Sequence, residues 1–167
     1  MNESNKTWFA AYVKSRAEKK VALELEALGI EFYLPLTKKL KQWSDRRKWV
    51  EEPLFRSYIF VHIDQSEYFT ALNANGVVRY VSFGGKAVTI PEVQIKAIRY
   101  YLEESDPENI NESDWKPGRK VEILAGSLAG LKGELMEIKG KSKVKVEIEA
   151  VNGNLLIQIP RNKLRFI

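Results

Sequence analysis

The sequence contains no cysteine, and its only histidine is His62. Without thiols there is no disulfide framework, no thiol nucleophile and no Cys/His zinc site, and a cysteine-free chain suits a reducing compartment. No apolar run reaches the 18 or more residues of a membrane span, and the opening segment lacks the charged n-region and apolar h-region of a signal peptide. These absences lead us to expect a soluble, unprocessed, cytoplasmic chain with no membrane partner. Nucleotide-binding glycine patterns of the P-loop and Rossmann types are missing too. The adjacent acids Glu51-Glu52 and Glu103-Glu104 point in different directions on a strand or helix, so neither pair forms a general acid and base. His62 sits in an apolar strand with no partner motif and reads as structural. No enzyme, metal or cofactor is expected.

Apolar residues and positive charge are well represented. Leu, Ile, Val and Phe make up 49 of the 167 residues, above the fraction below which disorder becomes the rule. The net charge of +5 is uneven: residues 1–104 carry +3, residues 105–114 carry −4 and residues 115–167 carry +6. The middle block is acidic with one apolar residue and cannot offset the entropy of its own ordering. We read a first domain over 1–104, an acidic linker over 105–114 and a second domain over 115–167.

In the first domain, Trp8 to Lys14 reads as a buried strand. Val21, Ala22, Leu25 and Leu28 give Glu18 to Leu28 a helical stripe that Gly29 ends. Ile30, Phe32, Leu34 and Leu36 alternate as a half-buried strand in which Pro35 marks an edge or bulge. Lys38 to Lys48 holds six basic residues and one acid, and reads as a basic hairpin or loop turning at Ser44-Asp45. Arg56 to Ile63 is a strand with Tyr58, Phe60 and His62 on one face. Ser66 is placed to cap a short helix over Glu67 to Ala74, and Val77 to Phe83 is a strand stopped by Gly84-Gly85. After an extended piece from Lys86 to Ile90, Pro91 opens a helix striped by Ile95, Ile98 and Leu102. This order is that of an α+β, ferredoxin-like split βαβ sandwich with an inserted hairpin.

The second domain reads as strands only: Val121 to Leu124, Glu134 to Ile138, Val144 to Ile148, Leu155 to Ile159 and Leu164 to Phe166. Five short strands fit a small SH3-like barrel. Glycines at 126, 130 and 133 surround a tight loop. Gly118 to Ile138 resembles a KOW motif, and Pro53-Leu-Phe-Arg-Ser-Tyr-Ile-Phe-Val61 resembles the signature strand of NusG-type transcription elongation factors. Trp8 to Tyr12, the strand Gly76 to Gly84 and the domain order extend the likeness over nearly the whole chain. Within the family, Pro53 to Tyr58 and the Trp43-Ser-Asp-Arg46 hairpin look most like the UpxY-type antiterminators of Bacteroides polysaccharide loci.

The resemblance implies a non-enzymatic, monomeric factor that rides on elongating RNA polymerase and promotes processive transcription of a polysaccharide biosynthesis operon. An apolar concavity would dock on the clamp helices of the β′ subunit and bridge toward the β subunit. Carried over by position, it would use Tyr12, Phe55, Tyr58, Phe60, Tyr80 and Phe83, with Arg56 standing at the rim where the family usually has proline. Thr70 matches a polar contact to the β subunit. Lys14, Arg16, Lys20, Arg46 and Arg47 would face the non-template DNA strand, and Trp43 among the hairpin cations adds a stacking surface. The second domain would recruit a ribosomal protein or the termination factor. Taken without the family, the aromatic set reads as core and the basic segment as either a solvated loop or a phosphate-binding one. The alternative function is a ribosome- or RNA-binding KOW protein acting independently of polymerase. One specialised relative rests its second domain as a helical hairpin. The period-2 alternation at Val144, Val146 and Ile148 and at Leu155, Ile157 and Ile159 instead predicts a β fold here in the free protein as well.

Overall fold

The computed structural model of the chain describes residues 5–103, 118–138 and 141–167. It divides into two compact units, residues 1–90 and 91–167. The expected linker over 105–114 lies outside the described residues.

The first unit is built on β1 (Thr7–Val13), α1 (Glu18–Ala27), β2 (Glu31–Tyr33), β5 (Tyr58–Ile63), α2 (Tyr68–Leu72) and β6 (Val77–Tyr80). Between β2 and β5 the chain makes the hairpin β3 (Leu36–Gln42) and β4 (Arg47–Pro53). The main sheet runs β2-β5-β1-β6 with antiparallel neighbours. With the hairpin set aside, this is the strand order of a split βαβ sandwich. Its core follows from alternation: Ala11, Val13, Ile59, Val61 and Ile63 face one side of the sheet, where Val21 and Leu25 of α1 and Ala71 of α2 pack on them. Trp8, Ala10, Tyr12, Tyr58, Phe60 and His62 share the opposite face.

Several boundaries differ from the sequence reading for local reasons. The alternating run from Ile30 to Leu36 breaks at Leu34-Pro35, where proline has no N–H for a ladder. Leu36 therefore opens the hairpin instead of ending β2. Strand β5 starts at Tyr58, because Ser57 stands at φ +67°. The run from Val77 to Phe83 divides at Val81. Past it, β7 (Ser82–Phe83) pairs with β8 (Lys86–Ala87) across Gly84-Gly85, both at positive φ, as tight hairpin turns require. Strand β9 (Thr89–Ile90) then returns to pair with β1. Ser66 does not cap α2: its hydroxyl donates to Asp64 Oδ1, and that carboxylate accepts the Glu67 N–H at 3.1 Å. No side chain caps α2; Asp64 instead fixes the turn before it, and these bonds, the Ser66 hydroxyl first, hold its carboxyl below the usual range.

The second unit contains α3 (Glu92–Glu103) and the strands β10 (Lys120–Ile123), β11 (Lys132–Ile138), β12 (Lys141–Ile148), β13 (Gly153–Ile157) and β14 (Leu164–Phe166). They form one antiparallel sheet in the order β13-β12-β11-β10-β14. Val121, Ile123, Met136, Val144, Val146, Ile148, Leu155 and Ile157 are buried, the alternate positions that the period-2 pattern selects. Helix α3 groups with this unit, so the division falls earlier than the expected boundary at 104. The Tyr100 hydroxyl donates to the Gln158 carbonyl at 3.4 Å.

Candidate functional site

Residues from three adjacent strands meet on the sheet face opposite α1 and α2. Tyr12 of β1 is the register partner of Tyr58 in β5 and of Arg79 in β6, so the three side chains emerge side by side. The two tyrosine rings meet edge to face at 5.7 Å, and the Arg79 guanidinium lies 5.6 Å over the Tyr12 ring. Farther along β5, Phe60 is fully buried and forms the floor. Phe55 meets it edge-on at 6.0 Å from the loop before β5, and Tyr33 of β2 stacks on it at 6.4 Å. Tyr12, Tyr33, Phe55 and Tyr58 are half-buried. They form an aromatic shelf with apolar bodies packed and edges open.

The structure therefore brings together four of the predicted residues, Tyr12, Phe55, Tyr58 and Phe60, with Phe60 as support and not as surface. Tyr33 and Arg79 were missed: only strand pairing shows that they share this face. Tyr80 is a correction. Pairing with Ala11 turns it to the helix-covered side, where it is 3% exposed and its hydroxyl donates to the Tyr68 carbonyl at 2.7 Å. Burial there pushes its ionisation well above the usual tyrosine range. Phe83 stands apart from the shelf on β7, 74% exposed. Thr70 is exposed on α2 beside the exposed Phe69. At the other end of the shelf's face, His62 stacks on Trp8 at 4.7 Å and its Nδ1 lies 2.7 Å from Glu31 Oε2.

A second feature adjoins the start of α1. A cleft of about 460 Å³ is lined by Ser15, Arg16 and Lys19, by Lys41 and Glu52 of the hairpin, and by Arg56. Arg16 and Ser57, both bordering it, stand at φ +62° and +67°, a conformation that costs non-glycine residues of order 1–3 kcal/mol and clusters at functional sites. The Lys19 ammonium donates to the Glu51 carbonyl at 2.9 Å, tying α1 to β4. Glu52 accepts from Lys41 and lies 3.9 Å from Lys39. That hydrogen bond, with the nearby charges of Lys41, Lys39 and Arg56, holds its carboxyl below the usual range. Arg16 and Arg56 thus share one cleft, whereas Lys14, directly after β1, and Lys20, in the first turn of α1, are exposed and do not line it.

The basic segment is a regular hairpin. Its arms pair from Leu36↔Pro53 to Gln42↔Arg47, and the Trp43 N–H donates to the Arg46 carbonyl at 2.8 Å across Ser44-Asp45. The Arg46 guanidinium sits 5.6 Å over the Trp43 ring. Trp43, Arg46 and Arg47 are all exposed. Trp49, in the same hairpin and 65% exposed, was not singled out from sequence.

Residues 6–99 match the family described as transcription termination factor nusG. The chain is also similar to a solved NusG of Thermotoga maritima, at 23% identity and TM-score 0.53, with 98% of each chain covered. It aligns with an MjSpt4:Spt5 complex at 18% identity and TM-score 0.32, over 96% of each chain. The Thermotoga likeness bears on the fold. The family match spans the sheet, the shelf and the hairpin, and on it the chain belongs to the NusG family of transcription factors.

Proposed function

We propose that the chain is an elongation factor that binds RNA polymerase and promotes processive, antiterminated transcription of a polysaccharide biosynthesis operon. The observation that carries this reading is the aromatic shelf of Tyr12, Phe55 and Tyr58 over the buried Phe60, within a NusG-family domain. Half-buried aromatic residues backed by a rigid sheet suit an apolar partner surface, because they bury large area at little entropic cost. The partner is the pair of clamp helices of the β′ subunit, and Thr70 with Phe69 on α2 lies toward the β subunit. The cations of the α1 start and the hairpin face the non-template DNA strand. The second unit recruits a ribosomal protein or the termination factor. No catalysis is involved, and the factor works as a monomer in the cytoplasm. Co-purification with core RNA polymerase, followed by sequencing of the associated transcripts, tests this reading. Enrichment of one polysaccharide operon supports it. Capture of free RNA without polymerase would favour an independent RNA-binding role.

A further inference from the structure

We infer that the two faces of the β3–β4 hairpin do different work, and that the Trp49 face is a stacking platform for an unpaired base of single-stranded DNA. Cross-strand partners share a face and residues two apart on a strand return to it, so the register sorts every side chain. One face carries the pairs Thr37/Glu52, Lys39/Val50, Lys41/Lys48 and Trp43/Arg46. It holds four cations against one acid, and its ring is already covered by Arg46. The other carries Leu36/Pro53 at the hairpin's base, then Lys38/Glu51, Leu40/Trp49 and Gln42/Arg47.

On that second face Trp49 is 65% and Leu40 48% exposed. The pair lies in the middle of the hairpin, flanked by Lys38/Glu51 on one side and Gln42/Arg47 on the other, each about 7 Å along the strands. An open indole beside a leucine is an apolar surface two residues wide. It matches one flat base, which gains its energy from stacking and is indifferent to sequence. Arg47, opposite Gln42 and not an acid, stands where the adjoining phosphate would pass. A protein partner would have to strip water from the flanking cations to reach so small an apolar area. Nucleic acid satisfies the aromatic and the cations together. Double-stranded DNA offers its phosphates but no free base face, which is why the single strand is the occupant. That it is DNA rests on the polymerase reading above.

The test uses the full-length protein without polymerase, and fluorescence anisotropy of a labelled 12-residue oligothymidine. Trp49→Ala is expected to weaken binding about tenfold at one salt concentration, as loss of one stacked base does, while the slope of log affinity against log salt stays as in the unchanged protein. Trp49→Phe should restore most of the affinity, which separates stacking from folding. Arg46→Ala with Arg47→Ala should lower the slope, since each lost phosphate contact releases fewer counterions. The inference is overturned if Trp49→Ala binds within twofold of the unchanged protein, if it loses as much on a duplex of equal length, or if oligouridine is bound in preference. Because polymerase is absent, failure of the polymerase reading shows as missing co-purification with the Trp49 effect intact. Failure of the platform shows as the reverse.

Discussion

Arg79 and Tyr80 are neighbours in β6 and do opposite things. Arg79 reaches over Tyr12 at the open face, and Tyr80 is enclosed between Phe9 and Tyr68 with its hydroxyl on the Tyr68 carbonyl. Replacing Tyr80 by Phe should lower stability by about 1 kcal/mol in urea unfolding, the usual net worth of one such bond. It should also alter the alkaline limb. Burial raises the ionisation of Tyr80 in the folded state. Its contribution is therefore fully present below about pH 10, the unfolded tyrosine value, and is lost as pH rises beyond it, because only the unfolded chain then releases the proton. The Phe variant should show a shallower loss above pH 10, and an unchanged limb would mean that Tyr80 ionises freely. Sequence placed Tyr80 on the wrong side because resemblance aligns positions, whereas the face is decided by which residue lies opposite in β1. Tyr58 and Phe60 were legible as sharing a face, since period-2 alternation within one strand needs no partner.

At the scale of elements, the hairpin was legible and its consequences were not. Six cations and Ser44-Asp45 announced a basic turn, but the exposed Trp49/Leu40 pair follows only from the register of the two arms. An isolated pair of strands is marginal in water, and here Lys19 and the Glu52 ion pairs hold its base. Neutralising Arg46 and Arg47 should therefore leave thermal stability nearly unchanged while weakening recruitment to transcription complexes and flattening its salt dependence. A steep slope retained by the double variant would return the hairpin to a solvated role. In the second unit, Gly133 lies opposite Val121, and a Cβ there would stand 2.5 Å from the Lys145 carbonyl oxygen and 2.6 Å from Val144 Cγ1. Gly133→Ala should force β11 and β12 apart and cost about 1–3 kcal/mol, as overpacking does, measurable as a lower denaturation midpoint. The sequence reading sets this glycine at the border of a tight loop, and the structure places it in β11 where two backbones approach.

For the whole molecule, the two units differ in what specifies them. In the first, helices and strands alternate and the periods change cleanly, so the split βαβ order was readable. The position of α3 was not: its stripe of Ile95, Ile98 and Leu102 names a buried face but not the partner that buries it. In the second unit, alternation at Val144, Val146 and Ile148 and at Leu155 and Ile157 coincides with β12 and β13. A helix would scatter these residues around its circumference. Backbone chemical shifts of residues 118–167 in the free full-length protein should accordingly be those of strands. Helical shifts across Leu135 to Leu156 would show that the unit rests in another fold.

If the Tyr12–Tyr58 shelf of this NusG-family chain docks on RNA polymerase as proposed, the affinity of the Tyr58→Ala protein for core RNA polymerase reports it. Circular dichroism of the same sample must report an intact fold. A loss of about 2 kcal/mol or more is expected, as for a desolvated aromatic anchor. A folded variant that binds polymerase as tightly as the unchanged protein would contradict it.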